Sequence, residues 1–99
     1  MTSSDEYPKF SVLMSVYGKE KPEYLDVALG SIESQTVKPT EIVLVEDGPL
    51  DNKLNVIVAK HQKKESLRFK IVKSSKNLGL GSALRLGTKY VTTNWIAMI

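Results

Sequence analysis

The sequence has 99 residues, enough for one small domain, and its hydrophobic share of 41% and charged share of 25% are typical of a globular protein. It contains no cysteine, which excludes disulfides, zinc–thiolate sites and thiol catalysis and is compatible with a reducing cytosol. The net charge of +3 comes largely from lysines, which either form a solvated face or attract phosphate. No aromatic residues are interleaved with these lysines, so a nucleic-acid surface is not indicated.

Apolar runs alternate with segments of helical periodicity along the chain. Residues 1–9 are predicted to be a flexible tail, and their polar, acidic start is neither a signal nor a transit peptide. The predicted elements follow in this order: a strand over 10–17, a helix from Pro22 to about Gln35, a strand over 41–47, a helix capped by Asp51, a strand from Leu67 to about Lys73, a helix beginning near Gly79, and a strand over 95–99.

This alternation predicts an α/β protein, a three-layer α/β/α sandwich with a mostly parallel sheet in the order β-α-β-α-β-α-β. The first two strands are almost continuously apolar, as in a sheet that is covered on both faces. In the last helix, the spacing predicts that five residues face inward: Leu80, Ala83, Leu84, Gly87 and Val91.

Two carboxylates, Glu46 and Asp47, end the second strand immediately before Gly48 and Pro49. Ligands of open α/β sheets bind at the carboxyl ends of the strands, so Asp47 is the first candidate for a ligand contact. Side chains alternate across a strand, so Glu46 is expected to point the other way. The alternative is that Asp47 only caps the turn.

Three further residues are candidates for contacts to the same ligand. Tyr17 ends the first strand and is either a ring that stacks on a nucleobase or a plain surface tyrosine. Gly79 allows a helix N-terminus to approach either a neighbouring segment or a diphosphate closely, and Arg85 then reaches the anionic oxygens or remains solvated. The run from Gly79 lacks the third glycine of a dinucleotide-binding loop, because Leu84 stands there.

A metal site on the single histidine, His61, is not indicated, because there is no second histidine and no cysteine. A position on the helix surface, or half-buried, is the better interpretation. The serines have no histidine–acid partner arrangement, so a serine nucleophile is not supported either.

Taken together, four ordered motifs over about residues 10–99 resemble the N-terminal part of family-2 glycosyltransferases, which have the GT-A fold. The segment 12–17 is similar to the first strand and its tyrosine, and 29–36 to the family's L-x-S-I-x-x-Q-T helix end. The segment 41–48 is similar to E-I-I-V-V-D-D-G, with Glu46 in place of the first aspartate. Residues 77–87 match N-x-G-x-x-x-A-x-N-x-G, with Arg85 in place of the second asparagine.

The resemblance implies a hexosyltransferase-like enzyme of polysaccharide biosynthesis that uses a UDP- or GDP-linked sugar and a saccharide or lipid-linked acceptor. It implies that Asp47 hydrogen-bonds the nucleobase, that Tyr17 lies beside the nucleotide, and that the parent protein inverts the anomeric centre. The implied location is cytoplasmic, or in the parent protein at the inner face of the membrane.

In this family, an Asp-x-Asp motif that holds manganese or magnesium follows the strand that matches residues 95–99. Residues 10–99 are therefore expected to be the nucleotide-binding part of a domain that is truncated before this motif. We expect no catalytic residue and no bound metal in the chain alone, no activity, and self-association through the exposed last strand. The alternative is a non-catalytic α/β nucleotide-binding or interaction module.

Overall fold

The computed structural model describes residues 8–64 and 68–99. It contains seven elements: β1 (Phe10–Tyr17), α1 (Pro22–Glu33), β2 (Glu41–Asp47), α2 (Asn52–Lys64), β3 (Phe69–Ser74), α3 (Leu80–Thr88) and β4 (Trp95–Met98). The predicted order of strands and helices is confirmed. Residues 1–7 of the predicted tail, and Leu67 at the predicted start of β3, lie outside the described residues.

The four described strands form one parallel sheet in the order β3-β2-β1-β4. β2 pairs with β1 along its whole length, from Glu41 opposite Ser11 to Asp47 opposite Tyr17. β4 pairs with the first half of β1, and its Met98 lies opposite Leu13. β1 and β2 therefore end side by side at their carboxyl ends, and both extend beyond β4.

Helices cover both faces of the sheet, as a three-layer α/β/α sandwich requires. On one face, α1 and α2 bury a cluster that includes Leu25, Leu29 and Leu54 against Val12 and Leu44. On the other face, α3 covers a smaller cluster of buried residues: Leu13, Val43, Val45, Val72 and Ala83. Continuously apolar strands are thus explained by burial on both sides.

The start of α2 and its contact with α1 depend on polar side chains. Asp51 caps α2, because its Oδ1 accepts a hydrogen bond of 2.9 Å from the Leu54 N–H, as predicted. At the other end of α2, His61 is buried rather than on the surface or half-buried. Its two ring nitrogens each lie 2.5 Å from a carboxylate of α1, those of Asp26 and Glu33.

The second face is held by a very close approach of α3 to the sheet. Ala83 and Gly87 are the buried residues of this helix, and Leu84 and Val91 pack partly against the same cluster, as predicted. Leu80 was predicted to face inward and is 67% exposed instead. It is the first residue of α3, beyond the strand ends that would cover it.

A buried polar cluster at the amino ends of the strands fixes the segment that leads into β4. The Glu41 carboxylate accepts hydrogen bonds from the Ser11 hydroxyl and the Thr92 N–H, both at 2.6 Å. It also forms an ion pair of 2.7 Å with Lys70. Thr92 lies between α3 and β4, so Glu41 connects this segment to the centre of the sheet.

Both faces of β4 remain largely uncovered within the described residues. Trp95, Ile96 and Met98 are 62%, 40% and 61% exposed. At the start of the strand, Trp95 borders an apolar groove of about 510 Å³, whose other lining residues are Pro8, Phe10, Gln35, Thr36 and Val37. β4 is therefore the least protected strand of this sheet.

Candidate functional site at the carboxyl ends of the strands

The strand order defines one position on the sheet edge that is suited to a ligand. From β1, the chain passes through α1 to β2 on one side, whereas β4 lies on the other side of β1. In open α/β sheets, the connections on the two sides of the point where the strand order reverses run in opposite directions, and this opens a crevice at the carboxyl ends of the strands. The carboxyl end of β1 is this point, and its last residue is Tyr17.

Tyr17 and Asp47 lie next to each other at this edge. They are opposite each other in the pairing of β1 with β2, so their side chains leave the same face of the sheet. Tyr17 is 41% exposed, whereas Asp47 is only 3% exposed. The structure thus provides an accessible aromatic ring beside a nearly covered carboxylate.

Glu46 occupies the same edge but the opposite face. Its neighbours alternate as predicted, because Leu44 belongs to the cluster under α1 and α2 and Val45 to the cluster under α3. Glu46 therefore lies on the side of α1 and α2, where it is 6% exposed. It is separated by the sheet from the Asp47 carboxylate.

The connection between β3 and α3 completes the site, because it is bonded directly to Asp47. The Leu78 N–H donates to Asp47 Oδ1 at 2.6 Å, and the Gly79 N–H donates to Asp47 Oδ2 at 3.1 Å. Gly79 also donates to Asn77 Oδ1 at 2.9 Å. Gly79 thus lies beside Asp47 at the start of α3, and its N–H is directed to oxygens of the protein.

Sequence reasoning did not assign Asn77 this role. Its side chain bonds the main chain two residues further on, which is an Asx turn, and an asparagine two residues before a glycine is a signal for such a turn. The partnership between Asp47 and the turn has no comparable signal, since 31 residues separate the two bonded positions Asp47 and Leu78.

Arg85 is not brought together with the other candidates. It is exposed in the second turn of α3 and lies six residues after Gly79. At 1.5 Å per helical residue, this places it roughly 9 Å along the helix from the sheet edge. A long side chain is needed to bridge this distance to a ligand beside Tyr17.

The described residues do not form a metal centre or a membrane span. In residues 8–64 and 68–99, no group of three or more histidine, cysteine, aspartate or glutamate side chains is arranged to hold a metal ion. These described residues therefore do not fit a complete cation site. No described helix is long and apolar enough to cross a membrane.

The sequence profile of the family described as Glycosyl transferase family 2 matches residues 11–99. The chain belongs to this family. The resemblance inferred from the four motifs is thus confirmed, and it covers β1 to β4 together with the whole carboxyl edge of the sheet.

Two curated relatives show what members of the family do. Over 88 residues the chain is 46% identical to the amylovoran biosynthesis glycosyltransferase AmsE of Erwinia amylovora, covering 89% of this chain and 32% of that protein. Over 84 residues it is 42% identical to the UDP-Gal:alpha-D-GlcNAc-diphosphoundecaprenol beta-1,3-galactosyltransferase of Escherichia coli, covering 85% and 30%. The chain spans about a third of the length of these relatives.

Two solved structures share the fold. The mannosyltransferase PcManGT of Pyrobaculum calidifontis, in complex with GDP-Man and Mn²⁺, superposes with a TM-score of 0.76 at 17% identity, covering 90% of this chain and 26% of that one. TarS of S. aureus gives the same TM-score at 28% identity, covering 92% and 16%. The predicted GT-A fold is therefore confirmed.

Proposed function

We propose that residues 10–99 are the donor-binding part of a glycosyltransferase that takes a sugar from a UDP- or GDP-linked donor. Membership of the family supports glycosyl transfer. The observation that carries the proposal is the position of Tyr17 and Asp47, side by side at the carboxyl end of β1, where the strand order reverses.

The individual roles follow from exposure and chemistry. The accessible Tyr17 ring stacks on the nucleobase, and the Asp47 carboxylate accepts a hydrogen bond from a base N–H. Glu46 is a weaker candidate for a contact to the donor, because its side chain lies on the face of the sheet opposite to that of Tyr17 and Asp47. Gly79 and Arg85 are proposed to face the diphosphate: Gly79 has no side chain and lets the N-terminus of α3 approach it closely, and Arg85 reaches it through its guanidinium.

The proposed reaction inverts the anomeric centre. A general base removes the proton of an acceptor hydroxyl, the hydroxyl oxygen bonds to the anomeric carbon, and the bond from that carbon to the diphosphate oxygen breaks. The base, and the carboxylates that hold manganese or magnesium on the leaving diphosphate, are proposed to lie outside residues 10–99. The isolated 99-residue chain is accordingly expected to be inactive.

The acceptor is proposed to be a saccharide or a lipid-linked sugar, in the biosynthesis of a polysaccharide. This proposal is supported by two relatives, one a glycosyltransferase of amylovoran biosynthesis and one a galactosyltransferase named for a diphosphoundecaprenol-linked sugar. Such an acceptor favours a cytoplasmic enzyme that works at the inner face of the membrane.

Calorimetric titration tests the proposed donor. We expect the full-length protein that contains this chain to bind either UDP- or GDP-linked sugars in the presence of manganese, because the edge at Tyr17 accommodates a nucleobase. If no nucleotide sugar tried gives a heat of binding in this titration, donor binding is rejected. ATP serves as the matched control nucleotide, and we expect it to bind more weakly.

The exposed β4 leads to a separate proposal about the chain in isolation. Trp95, Ile96 and Met98 present apolar surface beside a strand edge that is unpaired within the described residues, an arrangement that favours association. We expect the isolated chain to self-associate in light scattering, and Ile96→Lys to reduce the association. A monomer at high concentration, or association that Ile96→Lys leaves unchanged, would count against β4 as the contact.

A further inference from the structure

The Asp47 carboxylate is largely occupied by the protein itself. Both of its oxygens accept main-chain hydrogen bonds from residues 78 and 79, and the side chain is only 3% exposed. A carboxylate has about four lone-pair positions, so the two that remain can accept bonds from a ligand. Its low exposure nevertheless leaves little surface for direct contact, and its largest interaction is with the turn formed by residues 77–79.

The main chain of this turn is packed tightly against the end of β2. Gly48 has a φ of +88°, and a Cβ on it would lie 3.1 Å from the Asn77 nitrogen. Gly79 has a φ of +86°, which L side chains rarely adopt. Together with the Asn77 side chain, which bonds Gly79, these features define one conformation for the turn.

The conformation of residues 77–79 determines where α3 begins. Gly79 directly precedes Leu80, the first residue of the helix, and the Gly79 carbonyl accepts the hydrogen bond of the Ala83 N–H. Anything that holds Gly79 therefore sets the start of α3 relative to the carboxyl end of β2. Hydrogen bonds from backbone N–H groups to a carboxylate are stronger than those to a neutral acceptor, and Asp47 accepts two of them, at 2.6 and 3.1 Å.

We propose that Asp47 is a positioning residue: it holds the turn 77–79 in one conformation beside Tyr17, and the affinity for the donor depends on that conformation. The dependence of donor affinity on the turn rests on the proposed function. The claim that Asp47 fixes the conformation of the turn does not. Asp47 then acts on the nucleotide mainly through residues 77–79, and disturbing the turn weakens donor binding even when the Asp47 carboxylate is intact.

Amide hydrogen exchange in the full-length protein tests the hold on the turn without any ligand. In Asp47→Asn, one acceptor oxygen is replaced by a donor, so we expect the Leu78 and Gly79 amides to exchange about tenfold faster or more. Glu46→Gln is the control, because this neighbouring carboxylate lies on the other face. Unchanged exchange at both amides in a folded Asp47→Asn protein would overturn the proposal.

Donor affinity tests the dependence on the turn, with UDP and GDP plus manganese as probes. Asn77→Ala removes the Asx bond but keeps the Asp47 carboxylate, and we expect about fivefold weaker binding of whichever nucleotide binds the unmodified protein. Asn77→Ser retains a side-chain acceptor oxygen without adding a second carboxylate at the Gly79 N–H, and it is expected to restore part of both the affinity and the slow exchange at Gly79.

The outcomes separate this inference from the proposed function. If neither nucleotide binds the unmodified protein, the donor proposal fails, and with it the dependence of the donor on the turn, while the exchange result still decides whether Asp47 holds the turn. If Asn77→Ala speeds exchange at Gly79 and leaves affinity unchanged, the dependence on the turn is overturned while donor binding stands.

Discussion

Replacing Glu41 by glutamine is expected to lower the free energy of unfolding at pH 7 by about 2 kcal/mol. The substitution keeps the shape of the side chain but removes its charge and one acceptor oxygen. Burial raises the pKa of Glu41, but hydrogen bonds from Lys70, Ser11 and Thr92 outweigh it and lower the pKa from 4.5 to about 2. Such a shift corresponds to roughly 3 kcal/mol, and the 41% exposure of the Lys70 side chain reduces it through solvent screening.

The effect of Glu41 has a definite dependence on pH. The pKa is lower in the folded state, so the ionised carboxylate stabilises the fold fully above about pH 5, and this stabilisation is lost as the pH falls from 4.5 toward 2. The difference between the unmodified protein and Glu41→Gln should therefore shrink by more than half at about pH 3.

Denaturant unfolding at both pH values checks this expectation. Glu23→Gln is a suitable control, since Glu23 is an exposed acid in the first turn of α1 and should change stability by only a few tenths of a kcal/mol. Equal stability of Glu41→Gln and the unmodified protein at pH 7, or a loss that persists undiminished in acid, would contradict the role of this ion pair.

Replacing Gly87 by valine is expected to cost about 3 kcal/mol of stability. A Cβ at this position would lie 2.4 Å from Leu13 Cδ1 and 2.8 Å from Val45 Cγ2. Both neighbours are fully buried in the sheet, so relieving this overlap requires these side chains to repack within the core or α3 to shift away from β1 and β2. The gain in helix propensity over glycine, well under 1 kcal/mol for valine, does not offset this cost.

Gly81 provides a matched control in the same helix. A Cβ added there meets nothing within 4 Å, so we expect Gly81→Val to change stability by less than about 1 kcal/mol. Thermal or denaturant unfolding of the two variants measures the difference. If Gly87→Val proves as stable as Gly81→Val, the close approach of α3 to the sheet is wrong.

Local patterns were sufficient to predict the elements of the fold. The continuously apolar segments became strands covered on both sides, the Asp51 cap and Pro22 marked helix starts, and the positions of Tyr17 and Asp47 followed from parallel strands that end at one edge. Each of these inferences depends on residues that are close in the sequence, or on a general property of parallel sheets.

The polar contacts between distant segments could not be predicted in this way. Glu41 bonds Thr92 across 51 residues, and His61 bonds Asp26 across 35. No periodicity encodes such partners, so the sequence alone predicts Glu41 only as the start of a strand and His61 as a surface or half-buried residue. The Asp47–turn contact was missed for the same reason.

The exposure of Leu80 shows a limit of helical periodicity itself. The spacing places Leu80 near the same stripe as Ala83, but burial also requires a neighbour above that position, and the sheet ends before the first residue of α3. The distance of Arg85 from the carboxyl edge of the sheet could not be predicted either, because it depends on the direction in which α3 runs.

The most direct test of a nucleotide site at the carboxyl end of β1 is to titrate Tyr17→Ala and Tyr24→Ala in the full-length protein with the donor nucleotide that binds the unmodified form. Tyr24 is the control, since it is an exposed tyrosine of α1. A base that stacks on Tyr17 predicts that Tyr17→Ala weakens binding by about 1 kcal/mol, or roughly fivefold, while Tyr24→Ala binds normally. Normal nucleotide affinity in Tyr17→Ala would contradict the proposed site.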